Sequence, residues 1–185
     1  MKILLNFALF ALLTTTSFSR SVNTRKQLRQ DISRGHRPLG YKAARAVLFG
    51  KIYLQEDQQG SYIEDIYCKI HFREIDGVGP LKIPNHKKLN TEHAWPKTRF
   101  SKKLPFAVQK SDLFHLFPTA NQANSFRGSL KFGEINYEGE SIPGCHQAVR
   151  GKVWNSRVLA FSPPDDIKGL TAVPQKPTQI YTSTL

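Results

Sequence analysis

The sequence predicts a single domain that mixes α-helices and β-strands (α+β). The chain has 185 residues, which suffices for one hydrophobic core but not comfortably for two domains. Apolar residues recur at helical spacing over residues 41–49, whereas residues 65–72 alternate as a strand does. A strand–strand–helix pattern between residues 89 and 127 is the third observation, and we expect the domain to be built around it.

The N-terminal segment 1–19 has the pattern of a signal peptide. Lys2 supplies a positive start, residues 3–13 are apolar apart from Asn6, and small residues lie near Ser19. An apolar run of about eleven residues is too short to span a bilayer, which needs roughly twenty. We expect cleavage near Ser19 and a secreted or periplasmic protein. A buried N-terminal helix is the alternative.

Composition sets the remaining boundaries. Residues 20–37 are polar and basic with little periodicity, and we expect them to form a flexible arm. The main domain is expected over residues 38–169. Residues 170–185 carry Pro174, Pro177 and no apolar stripe, so we expect a disordered tail.

Within the domain, the first elements follow from local patterns. Residues 41–49 are expected to form a helix that ends at Gly50. Residues 55–61 are expected to form a polar turn, residues 65–72 a strand and residues 76–84 a loop.

The later elements are less regular. Residues 128–144 are glycine-rich, and we expect them to lack regular structure. Residues 153–161 are expected to form a strand, which Pro163 and Pro164 end.

The net charge favours polyanionic partners. Twenty-seven lysines and arginines oppose fourteen acidic residues, which gives a net charge of +13. Such an excess suits nucleic acid, acidic membrane surfaces or acidic glycans, and charge alone does not choose among them.

The two cysteines allow one disulfide. Cys68 and Cys145 both follow the expected cleavage site. In an oxidising compartment an even count favours a single disulfide between them. Two buried or free thiols are the alternative.

Two segments contain residues whose side chains could take part in catalysis or metal binding. The first contains Glu92 and His93, followed by Pro96. Taken alone, a histidine near a strand end is more often structural than catalytic. The second segment, between Asp112 and Gly128, favours a functional role for His93. In it, polar residues that can bind a metal or a phosphate interrupt an apolar run.

The second segment has the pattern of a strand followed by a helix. Residues 112–117 are expected to form the strand and 118–120 a turn. Thr119 or Asn121 could cap the helix, and Asn124 would then lie in its first turn.

Such a strand–strand–helix unit can hold one oxygen-ligated divalent cation beside an imidazole. Magnesium prefers carboxylate and carbonyl oxygens and keeps several waters, so Glu92 and Asn124 would form a sufficient set of protein ligands. His93 would act as a general base on water, because the reference pKa of histidine is near neutrality.

These segments belong to a longer series of short motifs. In chain order the series is Tyr41 with Ala43-Ala44 and Leu48-Phe49, Asp65-Ile66-Tyr67-Cys68, Asn90-Thr91-Glu92-His93 with Trp95-Pro96, Lys110-Ser111-Asp112-Leu113, His115-Leu116-Phe117-Pro118-Thr119, Asn124-Ser125 with Arg127-Gly128, Phe132-Gly133-Glu134, and Phe161 with Pro163-Pro164-Asp165 and Lys168-Gly169. The series resembles the bacterial endonuclease I family, exported nucleases of the His-Me finger (ββα-metal) group. The resemblance covers roughly residues 38–169.

The resemblance implies an endonuclease that hydrolyses phosphodiester bonds in DNA, and possibly RNA, with low sequence specificity. It implies His93 as the general base and Glu92 and Asn124 as ligands of one Mg²⁺ ion, with Mn²⁺ or Ca²⁺ as substitutes. Nucleic acid would be the partner, with no membrane contact, and the protein would be a monomer.

The resemblance also implies supporting roles. Arg127, about one helical turn after Asn124, would contact phosphate in the catalytic site, and an ordinary surface arginine is the alternative. Arg99, Lys102 and Lys103 could hold the substrate backbone.

Two further positions are expected to support the site without binding the metal. His115 would orient a ligand or its strand. Asp112 is expected to be a structural, hydrogen-bonding carboxylate.

Two departures from the family pattern favour a second reading. Phe114 replaces the first of two adjacent histidines, and Pro174 stops the helix that usually follows Gly169. The alternative is therefore a truncated, catalytically impaired member that only binds nucleic acid. A weaker third possibility is an exported protein that binds acidic glycans or cell walls.

Overall fold

The computed structural model describes residue 27 and residues 38–135, 139–153 and 156–168. The expected signal peptide and tail lie outside the described residues, as does the expected arm apart from Gln27. A compact unit begins at Pro38, the expected end of the arm. It contains both helices and strands, which confirms the α+β class. No helix in the described part of the chain is long and apolar enough to cross a membrane.

The described residues from 38 to 168 contain three α-helices and nine strands. The helices are α1 (Tyr41–Val47), α2 (Phe106–Lys110) and α3 (Asn121–Arg127). The strands are β1 (Gln55–Asp57), β2 (Gly60–Glu64), β3 (His71–Arg73), β4 (Leu89–His93), β5 (Leu116–Ala120), β6 (Lys131–Phe132), β7 (Glu140–Ile142), β8 (Cys145–Lys152) and β9 (Leu159–Ser162). They form the sheet β1–β2–β3, the pair β4–β5 and the sheet β6–β9–β8–β7, in which only β6 and β9 pair in parallel.

The first predicted helix is confirmed as α1, but Gly50 does not end the helical segment. The chain continues as a π-helical turn over Leu48–Ile52. A Cβ atom at residue 50 would overlap the main chain of Leu81. Gly50 therefore allows close packing of two main-chain segments rather than marking a helix end.

The segment after α1 is more ordered than its composition indicates. The predicted polar turn over 55–61 is instead the hairpin of β1 and β2, and only residues 58 and 59 lie at its turn. Ile63 is fully buried between the half-buried Tyr62 and Glu64, and it holds this hairpin to the core.

A buried carboxylate prevents the strand that was predicted over residues 65–72. Asp65 is fully buried and accepts hydrogen bonds from the main-chain N–H groups of Cys68 and, at 2.8 Å, Ala120. These bonds fold the segment into a turn, in which Lys69 has a φ of 57°. Strand β3 consequently begins only at His71.

The predicted strand over residues 112–117 begins later, at Leu116. The Asp112 carboxylate accepts a hydrogen bond from the Phe114 N–H at 3.0 Å and caps a 3-10 turn. The support of the site that was expected of Asp112 stays a prediction. Local side-chain chemistry here overrides the apolar pattern.

Helix α3 follows β5 without the predicted turn or cap. Residues 118–120 are extended within β5, and Ala120 occupies the N-cap position with no side-chain bond. The capping role predicted for Thr119 or Asn121 is therefore wrong. Thr119 is fully buried, and the Asn121 side chain instead accepts a hydrogen bond from Asn90.

The C-terminal sheet also differs from expectation. The predicted irregular region 128–144 contains β6 and β7. Among the described residues of the predicted strand 153–161, strand structure within a sheet begins only at Leu159, the first residue of β9. Val153 makes an isolated bridge to Ile135 instead. Gly151 pairs with Ala160 within the sheet, and a Cβ atom at residue 151 would lie 3.1 Å from the Cα atom of Gly139, so the absence of a side chain allows this close approach.

Two hydrophobic clusters meet at β5. One cluster contains Ala44, Leu48, Phe49, Ile63, Val78, Leu89 and Leu116. The other contains Ile66, Tyr67, Phe117, Ala120, Ala123, Ile142, Cys145, Ala148, Phe161 and Ile167. Leu116 and Phe117 are neighbours in β5 and project to opposite faces, so this strand joins both clusters.

A disulfide links the turn after Asp65 to the C-terminal sheet. Cys68 and Cys145 are bonded, with Cα atoms 4.9 Å apart and a sequence separation of 77. Cys145 is the first residue of β8 and is buried in the larger cluster.

We expect the native protein to contain no alkylatable thiol by non-reducing mass spectrometry. Replacing Cys68 and Cys145 together with alanine should lower the free energy of unfolding by about 4 kcal/mol, because the bond closes a long loop in the unfolded chain. Urea denaturation measures the change, and wild-type protein in reductant should behave like the variant. A double variant as stable as the oxidised wild type would contradict this expectation.

Candidate active site

A buried carboxylate joins three elements at the centre of the site. Glu92 is the fourth residue of β4 and only 3% exposed. Its Oε1 atom accepts one hydrogen bond from the Tyr67 hydroxyl at 2.8 Å and another from Arg127 Nη1 at 2.7 Å. Tyr67 lies in the turn after Asp65, and Arg127 is the last residue of α3. The carboxylate therefore fixes β4 against both.

The role predicted for Arg127 is wrong. The side chain is 1% exposed, so it presents no donor to a phosphate in this conformation. Besides Glu92, it binds the main-chain oxygens of His93 at 2.9 Å and Ala94 at 2.8 Å. The ring of Phe132 covers the guanidinium carbon at 4.5 Å. Arg127 is neither a phosphate contact nor an ordinary surface arginine, and it positions Glu92 and the end of β4.

Burial and pairing act in opposite directions on this carboxylate. Burial raises the pKa of Glu92, while Arg127 and the Tyr67 hydroxyl oppose the rise. Burial, together with the charge of Glu92, raises the pKa of Tyr67 well above its usual value. The Tyr67 hydroxyl therefore stays protonated and remains a donor.

Two oxygens of the site, one from β4 and one from α3, have the chemistry of cation ligands. No described side chain donates to the second oxygen of Glu92, Oε2. Asn124 is half-buried, and its Nδ2 donates to the Thr91 carbonyl at 3.4 Å, which assigns its Oδ1 as an acceptor with no donor among the described residues. The described residues contain no group of three His, Cys, Asp or Glu side chains that could hold a metal. A cation bound here would therefore have one carboxylate and one amide ligand.

His93 is held by a main-chain carbonyl in one tautomer. Its Nε2 atom lies 3.1 Å from the carbonyl oxygen of Lys110, the last residue of α2. A carbonyl only accepts hydrogen bonds, so Nε2 carries the proton and Nδ1 carries the lone pair of the neutral ring. No described group hydrogen-bonds to Nδ1, which leaves it available as a base.

Aromatic rings enclose the His93 imidazole. The ring centroids of Tyr41 and Phe100 each lie 5.9 Å from it, and that of His115 lies 5.4 Å away. Burial consequently lowers the pKa of His93 to about 4, with the Lys110 carbonyl opposing the change. The imidazole is neutral at pH 7.

His115 supports His93 rather than a metal ligand. Its Nε2 atom lies 2.7 Å from the carbonyl oxygen of Gln109, one residue before the carbonyl that holds His93. Ser111 binds the preceding carbonyls through its hydroxyl and N–H groups. The end of α2 therefore anchors both histidine rings through its unpaired carbonyls.

The other predicted substrate contacts lie on the surface. Arg99, Lys102 and Lys103 are exposed in the segment between β4 and α2, and none forms an ion pair with a described acidic residue. Arg99 Nε donates to the Ser129 carbonyl at 3.2 Å. The substrate-binding role of these three residues stays a prediction.

Sequence reasoning missed two contacts of the site. Tyr67 was visible only as part of the Asp65–Cys68 motif, and nothing in its spacing pointed to Glu92. Tyr41 was visible as the start of a helix and of the motif series, but neither indicated that its ring stacks on that of His93. Both contacts join residues far apart in the chain, which local patterns do not reveal.

In metal-free protein, we expect the His93 imidazole to titrate near pH 4. The pKa of histidine is about 6.5 in the unfolded chain, so the unfolded state binds this proton first as the pH falls. The His93 contribution to the free energy of unfolding is therefore complete above about pH 6.5 and is lost towards pH 4. Nuclear magnetic resonance of the imidazoles and urea denaturation with a His93→Gln control measure both effects. Titration of His93 near pH 6.5 would refute the expectation.

Comparison with known proteins places the chain in a family. The endonuclease I family model matches residues 21–174. The match exceeds the range 38–169 of the short motifs, because it begins within the expected arm and ends within the expected tail. No curated protein matches the chain. Because the family match covers most of the sequence, the chain belongs to the endonuclease I family, and this membership supports a nuclease that acts on nucleic acid.

Proposed function

We propose that this protein is an exported, metal-dependent endonuclease that hydrolyses phosphodiester bonds in DNA, and in RNA, with low sequence specificity. The main support is the geometry of His93. The Lys110 carbonyl holds its Nε2–H, and Nδ1 is left as the free lone pair of a neutral imidazole. A general base needs this arrangement, because the lone pair must face water while the opposite nitrogen is fixed.

The proposed reaction begins with a proton transfer to His93. Nδ1 takes a proton from a water molecule, whose oxygen attacks phosphorus and forms the new P–O bond. The bond to the leaving oxygen breaks, and that oxygen takes a proton from solvent. The low pKa of free His93 keeps its Nδ1 lone pair unprotonated at neutral pH, and the negative charge of a bound phosphodiester would favour the imidazolium that the transfer forms.

Glu92 and Asn124 are the residues that would hold the cation. Glu92 Oε2 and Asn124 Oδ1 are the oxygen types that Mg²⁺ prefers, and Mn²⁺ and Ca²⁺ also accept them. When bound, the cation would offset the negative charge that develops on the phosphate oxygens. Arg127 and Tyr67 hold Oε1 and thereby orient the remaining oxygen of Glu92.

The order of elements supports assignment to the His-Me finger group. Strands β4 and β5 pair antiparallel, with His93 opposite Leu116, and α3 follows β5 directly. His93 lies at the end of the first strand, and Asn124 lies in the helix. A ββα-metal unit has this arrangement.

Charge and surface position support low specificity. The net charge of +13 attracts the phosphate backbone, and contacts with phosphates carry no sequence information. Arg99, Lys102 and Lys103 are exposed beside the segment that leads from β4 to α2, and we propose that they contact phosphates.

The disulfide and the leader support export. A bond such as Cys68–Cys145 persists mainly in oxidising compartments. The N-terminal segment has the charge and apolar pattern of a signal peptide. We propose that the protein acts as a monomer in the periplasm or outside the cell.

A binding protein without catalysis is the second candidate. The observation in its favour is the Glu92–Arg127 pair, which already occupies one oxygen of the proposed ligand and thereby reduces the charge available to a cation. Such a protein would bind nucleic acid through its basic surface and would not cut it.

A plasmid-nicking assay with and without EDTA separates the two candidates. Wild-type protein should nick DNA with Mg²⁺ and lose activity in EDTA. His93→Ala should lower the cleavage rate by a factor of about 10² to 10⁴ and leave DNA binding intact. The exposed His86 provides the matched control, His86→Ala, which should cut at the wild-type rate. Binding without nicking by the wild type would support the second candidate.

Calorimetry with Mn²⁺ tests the proposed ligands. Asn124→Ala should weaken metal affinity, whereas Asn121→Ala on the same helix should not, because Asn121 Oδ1 already accepts a bond from Asn90. Glu92→Gln is preferable to alanine, since an unpaired Arg127 charge would cost about 3–5 kcal/mol of stability. Unchanged metal affinity in both Asn124→Ala and Glu92→Gln would exclude the two-ligand site.

A further inference from the structure

Arg45 is a partly buried cation without an acceptor. It lies in α1, and its Nε and Nη2 atoms are shielded from solvent without a hydrogen-bond partner among the described residues. No described acidic residue forms an ion pair with it. Arg127, a second described arginine with a buried guanidinium, differs because it binds a carboxylate and two carbonyls and leaves only its Nε without a partner.

The position of Arg45 relates it to the candidate base. Tyr41 and Arg45 lie four residues apart in α1 and therefore on one face of the helix. The guanidinium carbon of Arg45 lies 5.8 Å from the Tyr41 ring centroid. The Tyr41 ring in turn stacks on the His93 imidazole, with centroids 5.9 Å apart and planes inclined by 29°.

A second cation lies at the same aromatic ring. Lys110 Nζ is 4.3 Å from the Tyr41 ring centroid. The carbonyl of Lys110 also accepts a hydrogen bond from His93 Nε2. Lys110 therefore contacts the candidate base through its main chain and the Tyr41 ring through its charged side chain. Lys110 forms no ion pair with a described acidic residue. Two positive charges therefore lie at the ring that packs against His93.

The rings beside Arg45 do not satisfy its N–H groups. The guanidinium carbon lies 5.7 Å from the Phe49 ring centroid, in addition to Tyr41. Aromatic faces attract a cation, but the N–H groups of the planar fork still need oxygen acceptors. Shielded charged donors without acceptors are costly, so an external acceptor towards which the side chain turns would stabilise it. Unlike Arg127, Arg45 is only partly buried, and its Nη1 atom is not among the shielded atoms, so a ligand can reach the guanidinium.

We propose that Arg45 and Lys110 bind a phosphate of the substrate strand next to the phosphodiester that is cut. A phosphate offers several anionic oxygens, and the arginine fork can bind two of them at once. Contact at Tyr41 would place the substrate strand along α1, beside His93. This inference rests on the proposed function, because it requires a nucleic-acid strand at His93.

The first test measures binding of the full mature chain to duplex DNA in EDTA, so that cleavage does not interfere. Arg45→Gln should lower affinity about tenfold and reduce the slope of log K against log salt by about 0.9, the value of one phosphate contact. Arg157→Gln removes the same charge from an exposed site between β8 and β9 and is the matched control. Equal losses of affinity in the two variants would show that only the net charge matters, and they would overturn the proposal.

Arg45→Lys covers the case in which the glutamine variant does not fold. It keeps the charge but loses the two-pronged geometry, so it should keep the salt slope and lose affinity. Wild-type affinity in Arg45→Lys would overturn the proposal. These binding measurements remain decisive even if the wild-type protein cuts no DNA, so the failure of the proposed function is a separate outcome.

A second test locates the phosphate. The substrates are short oligonucleotides in which all linkages are neutral methylphosphonates except one cleavable phosphodiester. In a second set, one linkage next to the cleavable bond is also a charged phosphodiester. Mass spectrometry identifies the bond that is cut. For wild-type protein, a charged neighbour on one side should raise kcat/KM about tenfold. Arg45→Gln should lose this gain, and Arg157→Gln should keep it. An equal gain in Arg45→Gln and wild type would overturn the assignment.

Discussion

The hydrogen bonds at one buried oxygen, Glu92 Oε1, hold the candidate site together. Tyr67 and Arg127 both donate to it, so one atom joins the turn after Asp65, strand β4 and the end of α3. A buried carboxylate without such partners would cost several kcal/mol and would shed its charge. The pairing therefore explains why Arg127 is buried rather than available to substrate. It also explains why only the second oxygen of Glu92 remains for a cation.

A second constraint acts from the opposite side of β4. Adjacent residues of a strand project to opposite faces, so Glu92 points towards Tyr67 and α3, while His93 packs among aromatic rings. The last two carbonyls of α2 bind His93 and His115, so a short helix fixes both rings. The unpaired carbonyls at the end of a helix, which would otherwise need water, here fix the histidine tautomer.

Two arginines show how the same side chain takes different roles in different surroundings. Arg127 binds a carboxylate and two carbonyls through Nη1 and Nη2, although its Nε has no partner among the described residues, and it acts on the structure of the site through Glu92. Arg45 has shielded donors without an acceptor among the described residues, and it lies beside the ring that stacks on His93. Burial alone does not separate structural from binding arginines. The presence of an acid within reach separates them.

The sequence alone determined the α+β class and helix α1. It also showed that two cysteines could form one disulfide, and it set the order of Glu92, His93 and Asn124 along the chain. Periodicity and short motifs involve residues close together in the chain, so they can be read from the sequence without the fold. The tertiary structure decided the turn at Asp65, the strands of the glycine-rich region and the burial of Arg127. Each depends on a partner distant in the chain: Ala120 for Asp65, β9 for β6 and Glu92 for Arg127. The late start of β5 is a local effect, because the Asp112 carboxylate caps a turn two residues further on. A side chain's spacing fixes which face of an element it occupies, but only the fold brings the group that it binds.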